Sequence, residues 1–244
     1  MRTDKEKCTG CELCHPYCPV GAIATVEWEG KSVSEIDQGE CVECGTCFTR
    51  SGICPVDAID MPKLEWPRSL REHFSNPNAA HPSTTTQGRG TEEMKSNDVT
   101  GRYPRGIAGV AVEMGRPGVG TSLRDAETVA MALAKEGVEF EEDNPVSLLM
   151  ANPKTGKFKE EVLGEKVLSL ILEFKIENGR LERVLKMIGE VSAKIDTVFS
   201  LDLINRVEPD GGIPGIAIAE KAGFSPRPNT KTNVGLGKPR FREV

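Results

Sequence analysis

Cysteine is absent from everything after position 54, although eight cysteines stand before it. No apolar run reaches the ~18 residues that a membrane-spanning helix needs. The opening MRTDKEKCTG has no apolar stretch, so no secretory signal is expected, and the cytoplasm is the expected location. Without export, a disulfide scaffold is excluded, and clustered cysteines point to metal or redox chemistry. Aromatic residues make up 5% and apolar residues 38%, little for a single large core. Residues 1–66 carry six Lys/Arg against twelve Asp/Glu, so this head lacks the basic excess of a nucleic-acid binder. Its acidity suits a basic docking surface. No nucleophile–base pair and no dinucleotide fingerprint occurs. His15, His73 and His81 read as incidental.

What is present is a repeat. CTGCELCHPYCPVGAI at 8–23 matches CVECGTCFTRSGICPVDAI at 41–59, and both halves end in Cys-Pro-Val-x-Ala-Ile. Between them ATVEWEGKSVSEID turns at Gly30 and predicts a short hairpin. Three cysteines two residues apart, followed by a fourth before proline, fit the run that wraps a [4Fe–4S] cube and sends its last thiolate to a second cube. Paired C-x2-C motifs also build four-ligand zinc sites. The third cysteine at the same spacing and the following Cys-Pro distinguish these runs from the usual zinc module. In the second run six residues, FTRSGI, stand where the first has HPY. A loop absorbs such an insertion at a cost of about 0.6 kcal/mol per doubling of length, so Cys54 can still serve as a ligand. The insertion would also present Arg50. Tyr17, Trp28, Phe48 and Trp66 are expected to pack in the core or shield the metal.

The first 65 residues resemble a two-cluster bacterial-type ferredoxin. The resemblance implies two [4Fe–4S] clusters, one on Cys8, Cys11, Cys14 and Cys54, the other on Cys18, Cys41, Cys44 and Cys47. It implies low-potential electron transfer, with a redox enzyme or oxidoreductase subunit as partner. It does not extend to residues 67–244.

Residues 67–106 read as a linker or docking arm, with Pro67, Pro77, Pro82, Pro104 and the tract STTTQGRGT. As a flexible coil, about 40 residues would span roughly 35 Å. Within it, 87–106 mixes Arg89, Arg102 and Arg105 with Glu92, Glu93 and Asp98.

From 107 to 208 the periodicities become regular. IAGVAVEM predicts a strand, SLRDAETVAMALAKEG a helix capped by Ser122, and VEFEEDNPVSLLM a strand broken at Asn144-Pro145. KVLSLILEFKIE alternates as a strand, RLERVLKMIGEVSAKI is an amphipathic helix, and TVFSLDLINRV a last strand. The expected fold class is therefore α+β: a ferredoxin module at 1–66, a long linker, a βαββαβ ferredoxin-like domain at 107–208, and a Pro/Gly-rich basic tail at 209–244. Its sheet would leave one face open, for a homodimer or another partner. The pattern is similar in architecture to small ACT-type sensing domains. That analogy makes GRPGVGTS, and within it Arg116, Gly118, Gly120, Thr121 and Ser122, a candidate anion site at a helix N-terminus. The alternative function is then a redox-linked regulatory module binding a small anionic metabolite.

Overall fold

In a computed structural model of the chain, the described residues are 1–49, 53–83, 85, 101–115 and 118–226. Arg116, Arg50, Arg89, most of the 87–106 arm and the basic residues from Arg227 onward lie outside them.

The N-terminal unit is two copies of one strand–loop–strand motif that exchange strands. β1 (Arg2–Thr3) precedes the first cysteine run and β2 (Ile23–Trp28) follows it; β3 (Lys31–Ile36) precedes the second run, whose helix α1 (Thr46–Thr49) leads on to β4 (Ile59–Asp60). β1 pairs antiparallel with β4, and β2 with β3, so each half closes on the other. The predicted hairpin is the β2–β3 pair, and its turn at Glu29-Gly30 has both residues at positive φ, 50° and 78°. That is the geometry a tight two-residue hairpin requires.

The core of this unit is small. Met1, Ala22, Ile23, Ile36 and Ile59 form one buried group with Cys41, and Val33 and Ala58 form another with Cys8. A core of so few apolar side chains is of the kind that metal binding commonly supplements.

Residues 67–83 depart from the expected connector. α2 (Ser69–Ser75) forms there, and Leu70 and Phe74 are buried in the main core of the chain. Four-residue spacing puts both on one helix face.

That core belongs to the C-terminal unit. β5 (Ile107–Met114), β6 (Thr121–Ser122), α3 (Leu123–Lys135), β7 (Glu139–Phe140), β8 (Met150–Asn152), β9 (Lys157–Phe158), β10 (Lys166–Val167), β11 (Leu170–Glu177), α4 (Asn178–Val191), β12 (Phe199–Ile204) and α5 (Pro214–Lys221) follow in order. The main sheet has four strands in the order β12-β5-β11-β7, all pairs antiparallel. Val110, Val112 and Met114 of β5 and Leu170, Leu172, Phe174 and Ile176 of β11 pack with Leu123, Val129 and Leu133 of α3 and Leu181, Leu185 and Ile188 of α4.

Three expectations are corrected. The stretch 138–150 is not one broken strand: only Glu139–Phe140 pairs in the main sheet, and after Asn144-Pro145 the chain turns into a 3-10 turn at Ser147–Leu149. Asn144 explains the break, because its side chain is buried, donating to Glu173 (2.7 Å) and accepting from the Val146 amide (2.7 Å). The second sheet face is not open at its centre either: Ala111, Ile171 and Glu173 on it are buried within the single chain and Tyr103 lies against Gly109, while Glu139 and Asp202 at its edges stay exposed. A homodimer through that face therefore loses its basis. Finally, the expected tail begins with α5, which packs on α4.

Candidate metal centre

The two cysteine runs have the same backbone. Cys8 N–H donates to Asp4 O (3.0 Å) and Cys41 N–H to Asp37 O (2.9 Å). Asp4 N–H reaches Ala58 O and Asp37 N–H reaches Ala22 O, both at 2.8 Å, so each aspartate ties the start of its run to the end of the other. Each cysteine loop then has two residues in the left-handed region, Gly10 and Glu12 in the first and Glu43 and Gly45 in the second, and each closing Cys-Pro-Val-x-Ala-Ile turn adds one more, Gly21 or Asp57. Such residues turn successive amides toward one concavity, an arrangement recurrent at anion and iron–sulfur sites. At Gly10 a side chain is also sterically barred, since a Cβ would sit 2.4 Å from Ser32 O.

The ends of the runs match as well. Ala22 N–H donates to Cys18 Sγ and Ala58 N–H to Cys54 Sγ, both at 3.1 Å. The repeated Cys-Pro-Val-x-Ala-Ile thus supplies one amide to each sulfur, and the inserted residues before Cys54 leave that turn intact. Ser34 N–H adds a third such bond, to Cys8 Sγ at 3.3 Å.

The thiols gather in two groups. Cys8, Cys11, Cys14 and Cys54 line one small cavity, together with Thr3, Ser34 and Ile53 among others. The Cys47 thiol is pushed up to about 12, first by burial and then by the thiols of Cys44, Cys41 and Cys18 beside it. Burial likewise pushes the Cys14 and Cys41 thiols up. Thiols packed together and dehydrated resist ionising unless a cationic group offsets their charge. Among the described residues, no three His, Cys, Asp or Glu side chains close on one point as single-ion ligands do. The four cysteines that line the first cavity are the donor set a [4Fe–4S] centre takes.

The second run is fastened to the C-terminal unit. Glu43, 1% exposed, meets the Arg68 guanidinium through Nε (2.8 Å) and Nη2 (2.6 Å) at Oε1, and the Met1 amino group at Oε2. Arg71 Nη1 donates to the carbonyls of Gln38, Gly39 and Cys41, while its Nε pairs with Glu165 at 2.5 Å. Lys166 pairs with Glu40. Sequence reasoning missed this clamp. Its one signal was the Leu70/Phe74 spacing, which puts Arg71 on a helix.

The aromatic expectation is corrected. Tyr17, Phe48 and Trp66 are exposed, whereas Trp28 meets the expectation, packing partly buried against the Cys8, Val33 and Ala58 group with Lys31 Nζ 5.0 Å from its ring centroid. Trp66 instead donates to Glu161 (3.1 Å), across the two units.

The glycine loop 115–122 is used internally. Val119 N–H and Gly120 N–H both donate to Gly115 O, Leu123 N–H to Glu165 O, and Asp125 N–H to Ser122 Oγ. Thr121 and Ser122 pair in β6–β10, and Asp125 already sets a carboxylate at the helix N-terminus. Gly118 is in the left-handed region and Arg116 lies outside the described residues. A Cβ on Gly120 would meet Val20 Cγ1 at 3.3 Å, so this glycine serves the close approach of the two units.

A 4Fe-4S binding domain family model matches residues 1–24. Ferredoxin-2 of Chlorobaculum tepidum is 38% identical over 60 residues, covering 22% of this chain and 86% of that protein. The chain belongs to the 4Fe-4S ferredoxin family. The membership rests on its N-terminal unit, the first ~22% of its length. A component of an ion-translocating oxidoreductase complex from Methanosarcina acetivorans is 43% identical over 54 residues, 22% of this chain and 18% of that protein. The pyruvate synthase subunit PorD of Methanothermobacter marburgensis is 40% identical over 58 residues, 24% of this chain and 59% of that protein. The chain thus spans less than two thirds of both of these relatives. No solved structure matches it significantly. Among the described residues, no helix is long and apolar enough to cross a membrane.

Proposed function

We propose that the N-terminal unit holds two [4Fe–4S] centres and carries electrons within a larger oxidoreductase. Cys8, Cys11, Cys14 and Cys54 would hold the first centre, and Cys18, Cys41, Cys44 and Cys47 the second. The observation that carries this reading is the exchange of the late cysteines. Cys54 lines the cavity of the first run, and the Cys18 thiol is among those that push the Cys47 thiol of the second up. When bound, such centres supply one-electron storage tuned by charge, hydrogen bonds to sulfur and exposure. The chain's own residues shape the left-handed loops, donate amides to Cys8, Cys18 and Cys54, and keep part of the sulfur surface dry.

The names of the ion-translocating complex and PorD relatives favour a partner oxidoreductase. The C-terminal unit, from 107 to 208, would be the docking element of the pair. Its order β5-α3-β7-β11-α4-β12 and its sheet order support the split βαβ, ferredoxin-like reading. A docking role is favoured over metabolite sensing because the Val119 and Gly120 amides of the glycine loop are already bonded within the chain. Anaerobic reconstitution tests the proposal. About eight iron and eight sulfide per chain, with two reversible one-electron reductions, are expected. Zinc in their place would overturn it.

A further inference from the structure

The two cysteine loops share one backbone but not one environment. In the second loop every residue from Cys41 to Gly45 is buried. In the first loop the matched residues Thr9, Cys11 and Glu12 are exposed, and Leu13 after them is exposed too. The sharpest contrast is at the central cysteine: Cys44 is 9% exposed, whereas Cys11 faces solvent.

The C-terminal unit contributes to this burial. α2, anchored in the main core by Leu70 and Phe74, sets Arg68 against Glu43 and Arg71 against the Cys41 carbonyl. Gly120 approaches Val20, two residues after Cys18. Cys18, Cys41 and Cys44 belong to the second centre, so that centre lies along the seam between the units.

Around Cys11 the surface is apolar at Leu13 and acidic beside it. Glu12 accepts from Thr25 Oγ1 (2.5 Å), Gly10 lies against the Ser32 carbonyl, and Ser32 Oγ donates to Glu27 (2.7 Å). Glu12 and Glu27 thus flank the loop along the β2–β3 hairpin, and both are exposed. The lysines that precede the loop, Lys5 and Lys7, are paired with Glu35 and Asp4.

We propose that the first centre is the port at which the chain exchanges electrons with a separate, diffusing redox protein, which docks over Cys11 and Leu13 through a basic rim around its own redox group, while the second centre faces inward along the seam. The inference rests on the two-centre reading above. Electron transfer weakens steeply with distance, so a partner must approach the sulfur that solvent reaches. Carboxylates beside that sulfur raise the local concentration of a basic partner, and Leu13 supplies apolar contact once it arrives. In each encounter one electron leaves the reduced centre and one oxidised acceptor is reduced, with no bond made or broken.

The test uses cytochrome c, a small basic haem protein, as the acceptor. The reconstituted chain is reduced with dithionite, freed of excess reductant and mixed with ferric cytochrome c in stopped flow at several salt concentrations. Glu12→Lys and Glu27→Lys are each expected to slow haem reduction roughly 10-fold at ~0.01 M salt. Both should regain the wild-type rate near ~1 M, where the screening length falls to about 3 Å. Glu190→Lys, the same charge change at an exposed site on α4, is expected to leave the rate close to wild type. Equal slowing by Glu190→Lys would overturn the proposal, because net charge alone would then act. So would wild-type rates in Glu12→Lys and Glu27→Lys at low salt. A deficit that persists at ~1 M salt would overturn it too, since it would mark a changed potential and not a docking surface. A wild type that takes up iron for a single centre would instead count against the two-centre reading itself.

Discussion

Truncating Arg71 to alanine would remove the tie between the second cysteine run and the C-terminal unit. Arg71 is 5% exposed; its Nε lies 2.5 Å from Glu165, and its Nη1 lies 3.2, 2.9 and 2.7 Å from the carbonyls of Gln38, Gly39 and Cys41. Without the guanidinium, a nearly buried carboxylate and three carbonyl oxygens lose a donor together. Removing one member of a buried ion pair costs about 3–5 kcal/mol. The Glu165 side chain is 12% exposed, which admits some water and favours the lower end. At a urea slope of ~3 kcal/mol/M, a loss of ~3 kcal/mol lowers the unfolding midpoint by about 1 M. The assay is anaerobic urea unfolding of the loaded protein, read by far-ultraviolet circular dichroism. Arg71→Leu combined with Glu165→Leu should recover part of the loss, because no charge is then stranded. A loss below ~1 kcal/mol in Arg71→Ala, the level of an exposed pair, would refute the reasoning.

Two further outcomes follow from α2 and its neighbourhood. Phe74→Ala removes a fully buried ring from the core shared with β5 and α3, and is expected to cost about 3–5 kcal/mol in the same unfolding assay. His81 is buried beside Phe74 and His73, and its Nδ1 accepts from the Ser83 amide at 3.2 Å. Burial, then the His73 charge, depresses its pKa from 6.5 to about 4. The folded state therefore binds fewer protons than the unfolded state across that window. Its stabilising contribution is complete above pH 6.5 and is lost as pH falls toward about 4. His81→Gln should flatten the slope of stability against pH in that range, and an unchanged slope would remove His81 from the account.

The cysteine repeat was legible because ligand spacing is local: two residues between thiols fix a loop whatever surrounds it. The β2–β3 hairpin and the helices α3 and α4 were legible for the same reason, since Gly30 and the spacing of Leu181, Val184, Leu185 and Ile188 act within one element. What stayed hidden depends on contacts distant in sequence. Glu43 reads as a surface charge until Arg68 is seen closing on it from the C-terminal side. Arg71 reads as linker until it reaches Cys41 in front and Glu165 behind. Ser34 is one hydroxyl on a polar strand until the strand exchange brings it into the cavity. The exposed Tyr17 and Phe48 misled for the opposite reason: each is next to a cysteine in sequence, yet its side chain faces solvent.

The claim on which the account turns is that the late cysteine of each run serves the other run's centre. Cys54→Ala tests it most directly, with iron counted and the reduced protein read by electron paramagnetic resonance. The account predicts that the centre on Cys8, Cys11 and Cys14 loses its four-iron signature while the centre on Cys18, Cys41, Cys44 and Cys47 keeps its own, and that iron falls below the ~8 of the wild type. Two intact four-iron signals in Cys54→Ala, or loss confined to the centre of the second run, would contradict it.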